Sequence, residues 1–183
     1  MNKRFSYLIV ALLCLLGGQS AWAQTEFTIG DLTYYNDGGY GNIVQVSAAN
    51  TSISGEITIP AEVEYDDQTW SVELVKAQGF KNCQNITSVV INANLREICV
   101  EAFEKCYNLQ SIKLPSTLTH IRFGAFYDCT SLKSLTIPSS VWIIERAAFY
   151  NLNSATLIFF LLFNTLSNKK LLRILPCQIF HLT

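Results

Sequence analysis

Phe80, Phe103, Phe126 and Phe149 stand 23 residues apart, three intervals in succession. A fixed period of this length marks a chain assembled from stacked supersecondary units. Counting units from Val72, Leu95, Leu118 and Val141, position four holds Val75, Ile98, Ile121 and Ile144. Position eight holds Gly79, Ala102, Ala125 and Ala148, and position twelve Cys83, Cys106, Cys129 and Leu152. Positions eighteen (Val89, Ile112, Leu135, Ile158) and twenty (Ile91, Leu114, Ile137, Phe160) are apolar throughout. A single unit cannot bury these columns, so successive units must stack.

The stretch Leu109-x-x-Ile112-x-Leu114-Pro115 ends in the period-two alternation of a strand with one buried face, and Pro115 and Pro138 stop it. Each strand is expected to pair in parallel with its copy in the next unit. The product is a mainly β solenoid in which columns of Phe, Cys and Leu form ladders along the axis.

The unit Leu-x-x-Ile-x-x-x-Ala-Phe-x-x-Cys-x-x-Leu-x-x-Ile-x-Leu-Pro resembles the BspA-type leucine-rich repeats of secreted and surface proteins from anaerobic bacteria. The resemblance covers residues 72 to about 154. Upstream, Ile57-Thr-Ile59-Pro60-Ala-Glu-Val63 repeats the end of one unit and the start of the next, with nine residues, Glu64 to Val72, inserted. Asp66-Asp67 is expected as a hairpin turn within that insertion, which also looks like the family. The resemblance implies adhesion or protein recognition at a cell surface and brings no catalytic residues with it.

The flanks divide the rest of the chain. Lys3 and Arg4, the apolar run Leu8 to Leu16 and Ala21-Trp22-Ala23 have the order of a secretory signal, expected over residues 1–23 and cleaved before Gln24. The run is far shorter than the roughly 20 residues of a spanning helix, so no transmembrane span is expected after cleavage. Residues 24–56 alternate and turn at Asn36-Asp-Gly-Gly39, which reads as a β-hairpin cap. The solenoid is expected over 57–154. From Ala155 to Thr183 the repeat fails in an irregular apolar tail without one acidic residue. That tail has three readings: an apolar cap, a peripheral membrane segment, or an accidental ending such as a frame disruption, which is the favoured one. An outward-facing Phe159 and Leu161 would leave an apolar strand edge, and self-association is expected to follow.

The mature count of 11 basic against 14 acidic residues gives −3 and lacks the basic footprint of a nucleic-acid binder. Charge is unevenly placed. Residues 24–75 carry nine acidic side chains and no basic one, whereas 76–154 carry eight basic and five acidic. The acidic half reads as a solvated face or one that steers a basic partner; no calcium-loop spacing is found. Cys83, Cys106 and Cys129 would stack at about 4.8 Å, read as a buried, reduced ladder and not a zinc site.

Glu97 and His120 share position three, with Cys99 two residues beyond Glu97. No nucleophile is in register, so a surface ion pair is preferred to a catalytic role. The residues between the buried ones, Ser88, Val90, Ser111, Lys113, Ser134 and Thr136, form an open sheet face suited to broad contact with an extended partner. Trp142 falls in a column with Glu73, Arg96 and Thr119, exposed unless the tail covers it, and coverage by Leu157 to Phe163 is the more economical reading. The expected function is an exported, non-enzymatic recognition or adhesion module, without cofactor or metal, whose partners are host or cell-surface proteins. The alternatives are a carbohydrate-binding surface protein and a truncated remnant of a longer repeat protein.

Overall fold

The computed structural model describes residues 24–38 and 41–152. Residues 1–23 and 153–183, with every expectation placed on them, lie outside the described residues. The chain begins with β1 (Thr25–Ile29), β2 (Leu32–Asn36) and β3 (Ile43–Ala48), an antiparallel meander. Gly30, at φ 59°, supplies the left-handed residue that the β1–β2 turn needs. Asn36 organises the next connection: its side-chain amide donates to the carbonyls of Gly41 and Ile43, and its oxygen accepts from the Gly38 amide. The cap is therefore three strands, one more than a hairpin. Its last strand runs parallel to the strand Gln68–Val75.

The repeats build two parallel ladders, where the sequence alternation pointed to one. The expected ladder contains β4 (Ser54–Ile59), β7 (Asn85–Ile91) and β9 (Ser111–Lys113), and continues through a bridge from Ser111 to Ser134. The second joins the cap. It runs β1-β2-β3-β6-β8-β10-β11, where β6 is Gln68–Val75, β8 Glu97–Ile98, β10 His120–Ile121 and β11 Ile143–Ile144. Alongside β6 lies β5 (Glu62–Tyr65), an antiparallel partner joined to it through Asp66 and Asp67 at φ 55° and 57°. Positive φ at both central residues is what a two-residue turn of matching twist requires. This hairpin reaches back to the cap: Tyr65 stacks on Phe27 at 4.1 Å and Trp70 lies 6.1 Å from the same ring.

The third side of each unit is neither helix nor strand but a run of tight turns with its own inter-unit hydrogen bonds. Position seven is left-handed in every unit (Gln78, Glu101, Gly124, Ala147, φ 54° to 62°), and so is position eleven (Asn82, Lys105, Asp128, Asn151, φ 55° to 63°). The amides of positions seven, nine and eleven then point along the axis. Gln78, Phe80 and Asn82 donate to the carbonyls of Val100, Ala102 and Glu104, and Glu101, Phe103 and Lys105 to those of Phe123, Ala125 and Tyr127. Backbone groups that would otherwise be orphaned in a buried turn are thereby satisfied.

Inside this triangle of rails lies one core. Phe80, Phe103 and Phe126 are fully buried and stack with Phe149 at 5.0, 5.4 and 5.7 Å, their rings nearly parallel. Position eight must be small because the backbone passes close by. A Cβ on Gly79 would come within 2.9 Å of the Lys76 carbonyl and 3.1 Å of that of Val46, at the seam with the cap.

Candidate functional site

The open face of the β4–β7–β9 sheet is a lattice of two rows. One contains Glu56, Ser88, Ser111 and Ser134; the other contains Thr58, Val90 and Lys113, with Thr136 next in the column. Ser111, Lys113, Ser134 and Thr136 are exposed, while Ser88 and Val90 are half-buried. The structure adds two exposed members that the column reading left out, Glu56 and Thr58, because β4 lies upstream of the counted units. Glu56 accepts a hydrogen bond from the Ser88 hydroxyl at 3.0 Å. Beside Lys113 and Thr136 opens a cleft of about 430 Å³, floored by Ile112, Leu114 and Pro138 and rimmed by Ser116 and Ser134.

The outer face of the second sheet carries charge in pairs. Glu97 and His120 are register partners, but the Glu97 carboxylate is held by Arg122, with Nε at 2.7 Å and a second guanidinium nitrogen at 2.9 Å. Arg122 also reaches Glu145 at 2.8 Å, whose other oxygen accepts from the Phe123 amide. The column reading placed an ion pair on this face and missed its cation, because Arg122 stands two positions further along and reaches back diagonally. The Arg122 guanidinium holds the Glu97 carboxyl below its ordinary range, and the two carboxylates raise the Arg122 pKa in turn. His120 Nδ1 shares a hydrogen bond with the Thr119 hydroxyl. Burial, then the adjacent Glu97 carboxylate, pushes the Cys99 thiol up to about 12, the reverse of what a nucleophile needs.

Trp142 is 56 % exposed, with its ring edge-on to His120 at 4.8 Å. The segment proposed to cover it lies outside the described residues.

A second cluster sits on the turn side. Lys81 bridges Glu101 and Glu104, each at 2.8 Å, and lowers the Glu101 pKa. Tyr127 stacks on Tyr150 at 4.7 Å. Among the described residues no group of three or more His, Cys, Asp or Glu side chains is arranged to hold a metal ion. No helix among them is long and apolar enough to cross a membrane.

No curated protein matches this chain. Among solved structures, it is similar to a leucine-rich repeat protein from Bacteroides ovatus, at 29 % identity and a TM-score of 0.61 over 69 % of this chain. The chain spans 33 % of the length of that protein. A leucine-rich repeat protein from Bacteroides capillosus is similar at 27 % identity and TM-score 0.51, over 63 % of this chain and 84 % of the other. A Treponema pallidum leucine-rich repeat protein shares the fold, at 22 % identity and TM-score 0.54, over 72 % of this chain and 55 % of the other. The model of the BspA type leucine-rich repeat region, in six copies, matches residues 50–170. The match therefore begins just before β4 and runs past Ser154, where the columns stop. Two parallel ladders, a stacked Phe column and a matched span of well over half the sequence lead to one conclusion: this chain belongs to the BspA type leucine-rich repeat family.

Proposed function

We propose that the chain is an exported, non-enzymatic recognition module that binds an extended stretch of a partner protein on the open face of the β4–β7–β9 sheet, in an adhesive role at a cell surface. The observation that carries this reading is the lattice itself. Ser111, Lys113, Ser134 and Thr136 stand exposed in parallel rows, small enough for a backbone to lie across them and polar enough to exchange hydrogen bonds. The titratable groups elsewhere support a non-enzymatic reading, since Glu97 is committed to Arg122 and the Cys99 thiol is held protonated.

The test is a selection of random displayed peptides on the full chain, counter-screened on a Ser111→Arg, Ser134→Arg variant. Peptides that lose binding on that variant support the reading. Peptides that ignore it, or glycans that bind where no peptide does, overturn it. A carbohydrate-binding reading has one observation in its favour, the exposed Trp142 ring against His120, since an exposed indole stacks on sugar rings. Trp142→Ala abolishing binding on a glycan array would select that reading.

A further inference from the structure

Eight basic side chains fall in residues 76–154, and most already have work to do. Lys81, Arg96, Lys105 and Arg122 are in ion pairs, Lys76 lies over the Tyr35 ring, and the Arg146 guanidinium lies 5.8 Å from the Phe123 centroid. Lys113 and Lys133 remain. Neither has a carboxylate partner among the described residues; Lys133 meets only the amide oxygen of Gln110, at 3.0 Å. Both are exposed, Lys113 as the last residue of β9 and Lys133 one residue before the bridge at Ser134. Lys133 immediately precedes Ser134 in its rung, and Lys113 stands three positions further along in the neighbouring rung, about 11 Å away by strand geometry. The cleft beside Lys113 is lined also by Ser116, Ser134 and Thr136. The face's one acidic side chain, Glu56, lies at the opposite end, two rungs from Ser111.

We infer that the open face around Lys113 and Lys133 binds an acidic segment of an extended polypeptide, its carboxylates on the two lysines and its backbone over the hydroxyl rows. This rests on the recognition reading above and adds the charge of the partner. On one face of an extended chain carboxylates two and four residues apart stand about 7 and 13 Å from each other, spacings that bracket the lysine separation and lie within reach of the long lysine side chains, while Glu56, two rungs away, disfavours an acidic segment at that end of the sheet. A flat lattice of small side chains with only two cations fits a strand-like peptide better than a compact anion, which would need several donors converging on one point.

The experiment measures binding of a fluorescent octapeptide alternating Glu and Thr to the full chain, against the same peptide with Gln for every Glu and against an oligouronate carrying its carboxylates on sugar rings. The variants are Lys113→Gln with Lys133→Gln, and Arg146→Glu, which changes the net charge by the same amount away from this face. The inference expects the Glu peptide to bind, to weaken with salt, and to lose about tenfold in affinity in the double variant but not in Arg146→Glu. Thermal unfolding of the double variant matching wild type excludes misfolding as the cause. Glu and Gln peptides binding alike would overturn the inference while leaving the recognition reading intact. Binding of the oligouronate with the same lysine dependence, and of no peptide, would overturn both.

Discussion

The thiol of Cys106 donates a hydrogen bond to the main-chain carbonyl of Phe80, one unit earlier, at 3.1 Å. Cys129 repeats the bond to Phe103 at the same distance, and Cys83 faces the carbonyl of Asn50 at 3.9 Å, at the point where the family match begins. The cysteine column is therefore a set of inter-unit donors as well as a buried filler, which explains why a small hydrophobe with an S–H group recurs there. Cys106→Ala loses both the packed sulfur and the donor, and is expected to cost about 2 kcal/mol. Cys106→Ser, which keeps a donor, should cost less. Denaturant unfolding of the two variants checks the order.

Burial also raises the Cys83 thiol to about 12, as it does that of Cys99. Because these folded-state values lie above the ordinary 9.0, the stability they contribute is fully present below pH 9 and is lost as pH rises towards 12. Thiol labelling of a Cys14→Ser, Cys177→Ser chain at pH 8 should therefore find Cys83 and Cys99 slow to label in the native state and fast after denaturation.

The Glu97–Arg122 pair acts on the acid side. The Glu97 pKa is lowered in the folded protein, so its contribution is present above the ordinary carboxylate value and disappears as pH falls through the folded one. Glu97→Gln should lower stability at pH 7 by about 1 kcal/mol and flatten the acid limb of the stability curve. Equal acid limbs for the variant and wild type would show that the pair contributes nothing.

The left-handed position seven offers a test of opposite signs. Ala147, at φ 58°, is strained for an L-residue, so Ala147→Gly is expected to stabilise by about 0.5 kcal/mol. Gly124→Ala places a Cβ in the same backbone region and 3.3 Å from Glu101 Cγ, and should destabilise by about 1 kcal/mol. Thermal melts of the pair moving in opposite directions confirm the conformation.

Phe103→Ala removes a fully buried ring stacked on both sides and should cost about 3 to 5 kcal/mol. Ser111→Ala, on the open face, should be nearly silent. A near-wild-type Phe103→Ala would contradict the stacked core.

These contrasts show which parts of the fold the sequence made legible. The Phe column and the Ile112/Leu114 alternation were readable because burial forces apolar identity at a fixed period. The second ladder was not, since strands such as Glu97–Ile98 are two residues long and present one apolar position each. The left-handed turns were hidden for another reason: Gln78, Glu101, Lys105 and Ala147 occupy them, and only Gly124 and the Asn and Asp residues at position eleven hint at the conformation. The open face was readable as gaps between buried columns. Its first rung, Glu56 and Thr58, escaped because the hairpin insertion breaks the count.

The central claim, that recognition occurs on the β4–β7–β9 face, is tested most directly by an amide NMR titration of the full chain with a peptide that the display selection returns. The account predicts shift changes concentrated at Ser88, Ser111, Lys113, Ser134 and Thr136. Changes confined to Glu97, His120 and Trp142 on the other sheet would contradict it.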